Sequence, residues 1–590
     1  MLLRKLRIVC VGLLVCCGSF PVMAADSERG VADLVLHGGK ILTVDRGFSI
    51  VQALAVRDGR IVATGSDAQV LQLVGPNTQQ IDLQGQTVLP GLIDSHVHAI
   101  DASLLEFDHP VPDIQTIADV LQHVRERAAV VPAGDWIVLE QIFITRLREQ
   151  RYPTRAELDA AAPHHPVAFR TGPDASVNSL ALARSGIPDQ LKPGTSEPGA
   201  GRVERDAAGR ATGILRTARH LLKIEQQTVK PTTVERDTRL LQLLQDYNRV
   251  GITSAIDRAV SDEEIEQYRR VRDAGNLTVR MRLSYHLDTD RKLDAVKDDI
   301  RRVARHPLSQ GDDRLKILGI KTFLDGGMLT GSAYMRAPWG VSQIYGIDDP
   351  EYRGLRYIEP DTLREIVRTT VENDFQFTAH SVGDGAVHAL LDAYEQVSRE
   401  TSKVAETHCC LTHSNFMSRQ AIEWAARLGI CVDIQPAWLY LDTRTLYAQF
   451  GNERLRYFQP LKSLFAANVI VGGGSDHMQK IGAMRAINPY HPFWGMWVAC
   501  RRLPRWFEQG ALHEEEALDR QQAIVMYTRN NAYLMRMENQ IGSLEVGKLA
   551  DFIVLDRDIL SCPIDQLPEI QVVATYLSGV NVILRNSTGP

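Results

Sequence analysis

The sequence predicts an α/β fold: a (β/α)8 TIM-like barrel with a composite β-sandwich domain built from both chain ends. Three observations carry this prediction. The middle of the chain alternates apolar strand-like runs with helical segments, the pattern of a parallel sheet. Eight of these runs can be counted, and most of them end in His, Lys or Asp. Both chain ends consist of short alternating strands, and neither end has enough of them for a sandwich alone.

Composition places the chain among ordinary soluble enzymes. It has 590 residues, of which 44% are hydrophobic and 23% charged, and its formal net charge is −6. This length is too great for one simple domain. No Lys/Arg cluster indicates a nucleic-acid partner. Beyond the N-terminal segment, five scattered cysteines remain, which favours buried apolar thiols over a disulfide framework.

The N-terminal segment has the three parts of a secretory signal peptide. Arg4, Lys5 and Arg7 precede the apolar run IVCVGLLVCCG, and a small-residue pattern, VMA, ends at Ala24. We therefore predict a signal peptide over residues 1–25 and a periplasmic or secreted protein with no stable membrane insertion after cleavage. The apolar run is too short to span a bilayer comfortably. An uncleaved anchor is the alternative.

Strand patterns bound the β domain. Residues 26–88 contain the alternating runs ADLVLHGGKILTV and SIVQALAVRDGRIVATG, with turn signals at Gly38-Gly39, Asp58-Gly59 and Gly85. Residues 538–590 repeat the pattern in LADFIVLD and VVATYLSGVNVIL. We expect the two segments to pack together as one β domain, with the barrel inserted between them.

The barrel is expected over residues 89–537. Its eight predicted strands end, in order, at His98, Asp257, His286, Lys321, His380, His413, Pro436 and Asp476. The connection between the first two strands contains an insertion over about residues 103–245, far longer than an ordinary βα loop. Insertions on the active-site face of a barrel usually shape access to the substrate site.

The motif LPGLIDSHVH places two imidazoles on one face of the first barrel strand. His96 and His98 are spaced i, i+2, and such residues point to the same side of a strand. A bound divalent metal ion is the commonest reason for this arrangement. A pair of exposed loop histidines is the alternative.

Metal-ligand side chains also end the later strands. The candidate set is His96, His98, Lys321, His380, His413 and Asp476, and the C-terminal strand ends of a barrel converge on one mouth. Imidazole nitrogen and carboxylate oxygen are good Zn²⁺ ligands. A metal lowers the pKa of bound water to roughly 7. Asp476 would then take a proton from that water and pass it to a leaving amine.

Lys321 is the exceptional member of the set, because an ammonium group cannot bind a cation. A partly buried lysine can lose its proton and react with CO2 to give a carbamate, whose two oxygens can bridge two metals. The alternative is an inward lysine paired with a carboxylate such as Asp325.

Taken in order, LPGLIDSHVH, GIKTFLDGG, AHSVGD, LTH and GGGSDH resemble the amidohydrolase superfamily. The similarity is greatest to its YtcJ-like, amidohydrolase-3 branch, which includes N-substituted formamide deformylases, and it covers essentially all of the mature chain. The resemblance implies a metal-dependent barrel with two divalent metals, most simply Zn²⁺. It implies that His96, His98 and Asp476 bind one metal and that His380 and His413 bind the other. Lys321, as a CO2-derived carbamate, would bridge them.

Three positions depart from the family pattern. Thr412 precedes His413 where an acid is frequent, Arg216 replaces an acid in TGILRTA, and His477 follows Asp476 where a small residue is common. Because every implied metal ligand is retained, these departures put the substrate in doubt and leave the chemistry intact.

We therefore expect an exported, metal-dependent hydrolase of C–N bonds other than peptide bonds. Metal-bound hydroxide would attack an amide or an N-acyl or N-formyl amine, with Asp476 as proton shuttle. A deaminase of an aminated heterocycle and a non-catalytic exported binding protein are the alternatives.

Aromatic residues near strand ends favour a small-molecule substrate with an apolar or aromatic group. They are Trp339, Trp438, Trp494, Trp497 and Trp506. Helix packing or a homodimer interface would equally account for them. His286 is expected to be either a core residue or a neighbour of the metal ligands.

Overall fold

A computed structural model describes residues 30–191, 201–225 and 230–583. The predicted signal peptide, residues 1–25, lies outside the described residues. Within the described chain, no helix combines the length and the apolar character that a membrane span requires. The five cysteines of the described chain are free thiols, and Cys409, Cys410 and Cys431 are buried.

The N-terminal segment forms short strands and one helical turn. Their bounds are β1 Leu34–His37, β2 Lys40–Leu42, β3 Ile50–Val51, β4 Ala53–Arg57, β5 Arg60–Gly65, α1 Asp67–Val70, β6 Gln79–Asp82 and β7 Thr87–Pro90. Four of these strands make a sheet of order β5-β4-β1-β6. Its central strands are buried on both faces: Leu36 and Leu54 belong to one apolar cluster, and Val35 and Ala55 belong to another.

The first barrel strand and the insertion follow. Their elements are β8 Leu92–Val97, α2 Ala99–Leu104, α3 Ile117–Val130, β9 Ile137–Leu139, α4 Arg155–Ala161, β10 Val167–Thr171, β11 Asp174–Val177, α5 Ser179–Ser185, β12 Arg202–Arg205, β13 Ala211–Arg216 and α6 Thr233–Arg249. The insertion has its own five-stranded sheet, of order β12-β13-β11-β10-β9. Helix α6 returns to the barrel and packs on α2.

The remaining barrel alternates strands and helices. Its elements are β14 Ile252–Val260, α7 Asp262–Asp273, β15 Arg280–His286, α8 Leu293–Ala304, β16 Leu315–Phe323, α9 Pro360–Glu372, β17 Gln376–Ser381, α10 Asp384–Ser398, α11 Lys403–Glu406, β18 Cys410–His413, α12 Arg419–Leu428, β19 Cys431–Ile434, α13 Pro436–Arg454, α14 Leu461–Ala466 and β20 Val471–Gly473. Apolar side chains of the strands and of the surrounding helices form one large core.

Eight parallel strands form the barrel sheet, in the order β20-β19-β18-β17-β16-β15-β14-β8. Backbone contacts after β20 close it onto β8, because Val97 bridges to His477 and the amide of His98 donates to the carbonyl of His477 over 2.8 Å. The predicted α/β barrel class is therefore confirmed. Closure brings the first and last predicted ligands to adjacent positions.

The C-terminal elements complete the fold. They are α15 Pro492–Arg501, α16 Arg520–Met526, α17 Arg529–Leu534, β21 Phe552–Leu555, β22 Val572–Leu577 and β23 Val580–Asn581. Strand β21 pairs antiparallel with β7, with Val554 opposite Val88, so one sheet of order β23-β22-β21-β7-β2-β3 contains both chain ends. Its apolar face shares a core with the four-stranded sheet.

Candidate metal centre

The candidate side chains lie where barrel strands end. His96 is in β8 and His98 directly follows it, Lys321 and His380 are near the ends of β16 and β17, and His413 ends β18. Asp476 follows β20 by three residues. Parallel strands in a barrel direct their C-terminal ends to one mouth, so residues far apart in sequence meet there.

Three of these side chains bring ligand atoms together. His96 Nε2 and His98 Nε2 are 3.3 Å apart, and each lies 3.2 Å from Asp476 Oδ1. The three atoms fall within 4.8 Å of one another. His96 is fully buried, whereas the His98 side chain is 21% exposed and faces the cavity. Two imidazoles and a carboxylate in this arrangement can hold one divalent cation.

His380 and His413 lie beside this triad. The ring centroid of His413 is 4.9 Å from that of His96 and 4.6 Å from that of His380. Burial, with a smaller contribution from the charge of Lys321, lowers the pKa of His380 to about 3. Burial and the neighbouring His380 lower the pKa of His413 well below its usual value. Both imidazoles are therefore neutral at pH 7, the form that binds a metal.

The pKa of His98 shifts in the opposite direction. Burial lowers it, but the hydrogen bond and the charge of Asp476 outweigh burial and raise the pKa above its usual value. Burial lowers the pKa of His96 well below its usual range, and the adjacent His413 adds to this. Asp476 therefore stabilises a proton on the outer imidazole of the pair, at a position where a cation can replace that proton.

Lys321 is fully enclosed among these groups. Its Nζ lies 4.7 Å from the centroid of the Phe323 ring, and within the described residues it forms no ion pair with a carboxylate. The alternative pairing with Asp325 is thus absent, since Asp325 accepts hydrogen bonds from the amides of Tyr334, Val382 and Gly383. Burial lowers the pKa of Lys321 to about 8, against the opposing charge of Asp476.

Two residues that the sequence did not single out orient the histidines. Asp433 Oδ2 lies 3.2 Å from Nδ1 of His96, and Gln435 Oε1 lies 2.7 Å from Nδ1 of His413. Each contact leaves the Nε2 atom of its imidazole facing the site. Both residues belong to CVDIQP, the seventh strand and its end. The i, i+2 spacing of two polar residues at that strand end was the available signal.

Arg258 supports Asp433 from inside the barrel. This arginine is fully buried, and its Nη2 lies 3.7 Å from Asp433 Oδ2. Nη1 of Arg258 donates to Ser284 Oγ over 3.0 Å and to Gln376 Oε1 over 2.9 Å. A positive charge at this position favours the ionised form of Asp433 and thus its contact with His96.

Backbone contacts hold Asp476 in place. Its φ of 54° lies in the left-handed region, which is unusual for a residue with a side chain. The amide of Asp476 donates to the carbonyl of His96 over 2.8 Å, and its carbonyl accepts from Asn488 Nδ2 over 2.7 Å. Asn488 is itself bonded to Arg146 of the insertion, over 2.8 Å. The insertion therefore helps to fix a residue of the barrel mouth.

His477, one of the three departures, points away from the site. Its Nδ1 contacts Tyr247 Oη at 2.8 Å, and its Nε2 donates to the carbonyls of Gln479 and Lys480. Because both ring nitrogens form hydrogen bonds, His477 stabilises the loop after β20. No local pattern in the sequence indicates these partners.

A cavity of about 880 Å³ opens above the candidate ligands. Barrel residues form its floor, and insertion residues such as Phe143, Arg146 and Arg216 form part of its wall. Arg216, the second departure, is ion-paired with Glu204 at 2.7 Å and with Asp174 at 3.2 Å. Its charge is thus balanced within the wall.

Only one of the five tryptophans of the aromatic prediction lines this cavity. Trp438 does so and stacks on His413, with ring centroids 4.8 Å apart. Trp339 and Trp494 are buried behind the lining, in the same apolar cluster as Trp438. Trp497 donates to Asp565, and Trp506 lies against arginine side chains. Other aromatic residues replace them in the lining, namely Phe143, Phe323, Tyr345, Tyr352 and Tyr357.

The remaining sequence candidate lies outside the site. The side chain of His286 is exposed, and its ring contacts Phe323 at a centroid distance of 5.6 Å. Asp257, at the end of the second predicted strand, accepts hydrogen bonds from Tyr268 Oη over 2.6 Å and from the amide of Ala99 over 3.1 Å. Asp257 therefore has a structural role beside the mouth.

The donor set fits a divalent cation. Two imidazoles and one carboxylate converge, His96 is oriented by a carboxylate, and neutral His380 and His413 adjoin them. Metal-binding histidines commonly donate their second nitrogen to such a carboxylate. Without a cation, these closely spaced polar atoms would have few favourable partners so deep in the fold.

Comparison with known proteins places this geometry in a family. The model of the family Amidohydro_3, described as "Amidohydrolase family", matches residues 79–583. The N-substituted formamide deformylase of Arthrobacter pascens is 30% identical over 93% of this chain and 98% of its own length. The putative amidohydrolase YtcJ of Bacillus subtilis is 26% identical over 92% of this chain and 98% of its own.

Solved structures share the fold at low sequence identity. A metal-dependent hydrolase of Pyrococcus horikoshii superposes with a TM-score of 0.65 at 20% identity, over 90% of this chain and 99% of its own. The atrazine chlorohydrolase TrzN of Arthrobacter aurescens, solved with zinc, gives a TM-score of 0.51 at 14% identity, over 93% of this chain and 95% of its own. The predicted family and the predicted hydrolase class are confirmed by the family match and by the deformylase relative. The chain belongs to the amidohydrolase family and is a hydrolase that acts on carbon–nitrogen bonds.

Proposed function

We propose that this protein hydrolyses the C–N bond of an N-acyl or N-formyl amine with the help of bound divalent metal. One observation carries the proposal: His96, His98 and Asp476 converge within 4.8 Å at the floor of a large cavity. The similarity to an N-substituted formamide deformylase over nearly the whole of both chains supports the substrate class.

Two groups of ligands would hold two metals, most simply Zn²⁺. His96, His98 and Asp476 form the first group, and His380 and His413 form the second. Neutral imidazoles and a carboxylate are ligands that zinc accepts readily. The zinc reported with TrzN is consistent with this choice of metal.

Lys321, as a carbamate, would link the two groups. Carbamate formation needs a neutral amine, and burial lowers the pKa of this lysine to about 8, so a useful fraction is neutral at pH 7.5. The lack of a carboxylate partner within the described chain leaves the amine free to react. The modification would also turn an unpaired buried cation into an anionic ligand.

Bound divalent metal would lower the pKa of water and polarise the carbonyl oxygen of the substrate. Asp476, whose carboxylate lines the cavity, takes a proton from the attacking water. Water oxygen bonds to the carbonyl carbon, the C–N bond breaks, and Asp476 returns the proton to the leaving nitrogen. Asp433 and Gln435 keep His96 and His413 in the required orientation throughout.

The cavity favours a substrate with an apolar or aromatic group on nitrogen. Its volume of about 880 Å³ accommodates a small molecule. Trp438 stacks above the ligand His413, and Phe143, Phe323 and Tyr345 line the nearby walls. Aromatic side chains bind flat apolar groups by surface burial and offset stacking.

We also propose that the protein is exported to the periplasm or secreted. The support is the charged, apolar and small-residue pattern of residues 1–25, a segment outside the described residues. Fractionation followed by N-terminal sequencing tests this. A mature chain beginning near Ala25 or Asp26 supports export, and a cytoplasmic chain that retains Met1 contradicts it.

The decisive experiment is a substrate screen of purified, zinc-loaded protein with metal analysis. The panel contains N-formyl and N-acyl amines with and without an aromatic group, dipeptides, lactams and aminated heterocycles. We expect turnover of formyl or acyl amines, more metal than one ion per chain, and loss of activity in Asp476→Asn. Ammonia release from a heterocycle would instead establish a deaminase. Absence of both turnover and stoichiometric metal would favour a binding protein.

A further inference from the structure

A second, smaller pocket lies at the opposite face of the barrel. Its volume is about 270 Å³, and we call it the lower pocket. Its lining consists of Arg282, Gln310, Gly311, Asp312, Asp313, Lys316, Leu318, Met535, Arg536 and Gln540. Arg282 and Lys316 are partners across β15 and β16, near the N-terminal ends of both strands.

Arg282 is the innermost charge of the lower pocket. Its relative exposure is 3%, yet it has a single long hydrogen bond, from Nη1 to the carbonyl of the preceding Met281 over 3.3 Å. Within the described residues, Arg282 has no carboxylate partner. Burial lowers the pKa of Arg282 to about 10, nearby Arg280 adds to this, and the charges of Asp313 and Asp312 oppose it, so the side chain is still charged at neutral pH. A buried charge without a counter-ion is costly.

Two further cations face the same space without an ion pair in the described chain. Lys316 is half-buried, and burial, with Arg282 and Arg536, lowers its pKa. Arg536 is exposed, and it donates from Nη1 to the carbonyl of Asp374 over 2.7 Å. Arg536 also has a φ of 55°, a conformation that few residues with a side chain adopt.

The two acids at the rim are occupied by other partners. Asp312 Oδ1 accepts from the amides of Arg314 and Leu315, and its Oδ2 lies 3.5 Å from Arg272. Asp313 Oδ2 pairs with Arg280 at 2.7 Å. Both carboxylates act on Arg282 through their charge, but neither forms an ion pair with Arg282, Lys316 or Arg536 within the described residues. The pocket therefore has room for a further counter-charge beside Arg282.

We propose that the lower pocket binds a small, doubly charged tetrahedral oxyanion, either inorganic phosphate or the phosphoryl group of a small metabolite. Arg282, Lys316 and Arg536 line one pocket, and their guanidinium and ammonium groups can donate to the oxygens of such an anion. Gln310 and Gln540 add neutral donors at the opening. The buried guanidinium supplies the strongest contact, because charge-assisted hydrogen bonds gain strength away from water.

This site is independent of the proposed catalytic function. Lys316 and Lys321 lie on the same strand, β16, five residues apart, a separation of about 16 Å. The C-terminal strand ends carry the metal ligands, whereas the lower pocket occupies the N-terminal ends. The bound anion would therefore act on stability or regulation and would not touch the substrate.

Isothermal titration of the metal-loaded mature protein with inorganic phosphate tests the proposal. The buffer is an organic cation salt of matched ionic strength, and chloride and acetate serve as singly charged comparisons. We expect saturable phosphate binding that is at least about tenfold tighter than binding of either comparison anion. Arg282→Met and Lys316→Met should each weaken phosphate binding by at least about tenfold. Arg399→Met, an exposed arginine on another surface, is the matched control and should bind as the wild type does.

Every result of this titration bears on the lower pocket. Phosphate binding that persists in both variants would belong to another site, such as the metal centre, and would overturn the proposal, as would the absence of saturable binding. If Arg282→Met does not fold, Lys316→Met still tests the proposal. The Lys316 side chain is only half-buried, at the edge of the pocket, so its replacement should leave the fold intact. Tighter binding of glycerol 3-phosphate than of phosphate would identify a phosphorylated metabolite as the ligand, and weaker binding would identify free phosphate.

Discussion

Asp433 Oδ2 lies 3.2 Å from Nδ1 of His96, and both side chains are fully buried. The two residues come from strands separated by 337 positions in the sequence. Asp433 also accepts hydrogen bonds from Ser95 Oγ over 2.6 Å and Gln435 Nε2 over 3.0 Å. This carboxylate is thus the centre of a network beneath the candidate ligands, and it fixes which nitrogen of His96 faces them.

The Asp433→Asn variant tests this relationship. The amide keeps the shape of the carboxylate but loses the charge that supports His96, so we expect metal affinity to fall about 10- to 100-fold. Competition with a chromophoric chelator measures the affinity. Asp361→Asn, with a side chain that is 89% exposed, is the control. Unchanged affinity in Asp433→Asn would mean that this carboxylate only fills space.

The Lys321→Ala variant should lose both bound metal and hydrolytic turnover. Removal of the side chain deletes the proposed bridging carbamate and leaves a hole between the two ligand groups. Acetate or propionate should restore part of the metal content and part of the rate by filling that hole. Lys321→Arg should not be rescued, since guanidinium stays charged and forms no carbamate. Normal metal content and turnover in Lys321→Ala would assign this lysine a structural role.

His123 should make stability fall with acidification. This side chain is 6% exposed, and burial, with His109 and Arg127, lowers its pKa to about 4 from the usual 6.5. Between pH 4 and pH 6.5 the unfolded chain carries more of the proton on His123 than the folded chain does. The free energy of unfolding therefore falls as the pH is lowered through this range. At pH 5.5 the effect is about 1 kcal/mol relative to pH 7.5.

Urea unfolding of His123→Leu at both pH values measures that effect. The variant should lose about 1 kcal/mol less than the wild type between pH 7.5 and pH 5.5. His164→Leu, which replaces an exposed histidine of the same insertion, is the control and should follow the wild-type profile. Identical profiles for the wild type and His123→Leu would refute the prediction.

The buried Arg146–Asp442 pair should anchor the insertion to the barrel. Arg146 Nε and Nη2 each donate to one oxygen of Asp442 over 2.7 Å, and the two side chains are 7% and 2% exposed. Arg146→Met leaves a buried carboxylate unpaired, at a cost of about 3–5 kcal/mol. The loss is measured by chemical unfolding.

Two further variants separate the pair from its surroundings. Arg146→Met combined with Asp442→Leu should recover much of the lost stability, because no buried charge then remains. Arg151→Met removes the 43% exposed partner of Glu157 in the same insertion and should change stability by less than about 1 kcal/mol. Equal losses in Arg146→Met and Arg151→Met would contradict a specific role for the buried pair.

The sequence alone was sufficient to predict the barrel architecture and to select the candidate ligands. Alternating and continuous apolar runs determine where strands form, and residues at their C-terminal ends must meet at one mouth of a barrel. His96 and His98 were visible because i, i+2 spacing on a strand is a local property. Strand β7 pairs with β21, so one sheet contains strands from both chain ends.

Only the tertiary structure decided which side chains surround those ligands. The contacts of Asp433 with His96 and of Arg146 with Asp442 join residues about 300 positions apart, and no local pattern encodes them. The same holds for aromatic residues, since Trp438, Trp339 and Trp494 share one apolar cluster and Trp438 is the member of the three that lines the cavity. Periodicity specifies the direction of a side chain relative to its own strand or helix, whereas its neighbours depend on how distant elements pack.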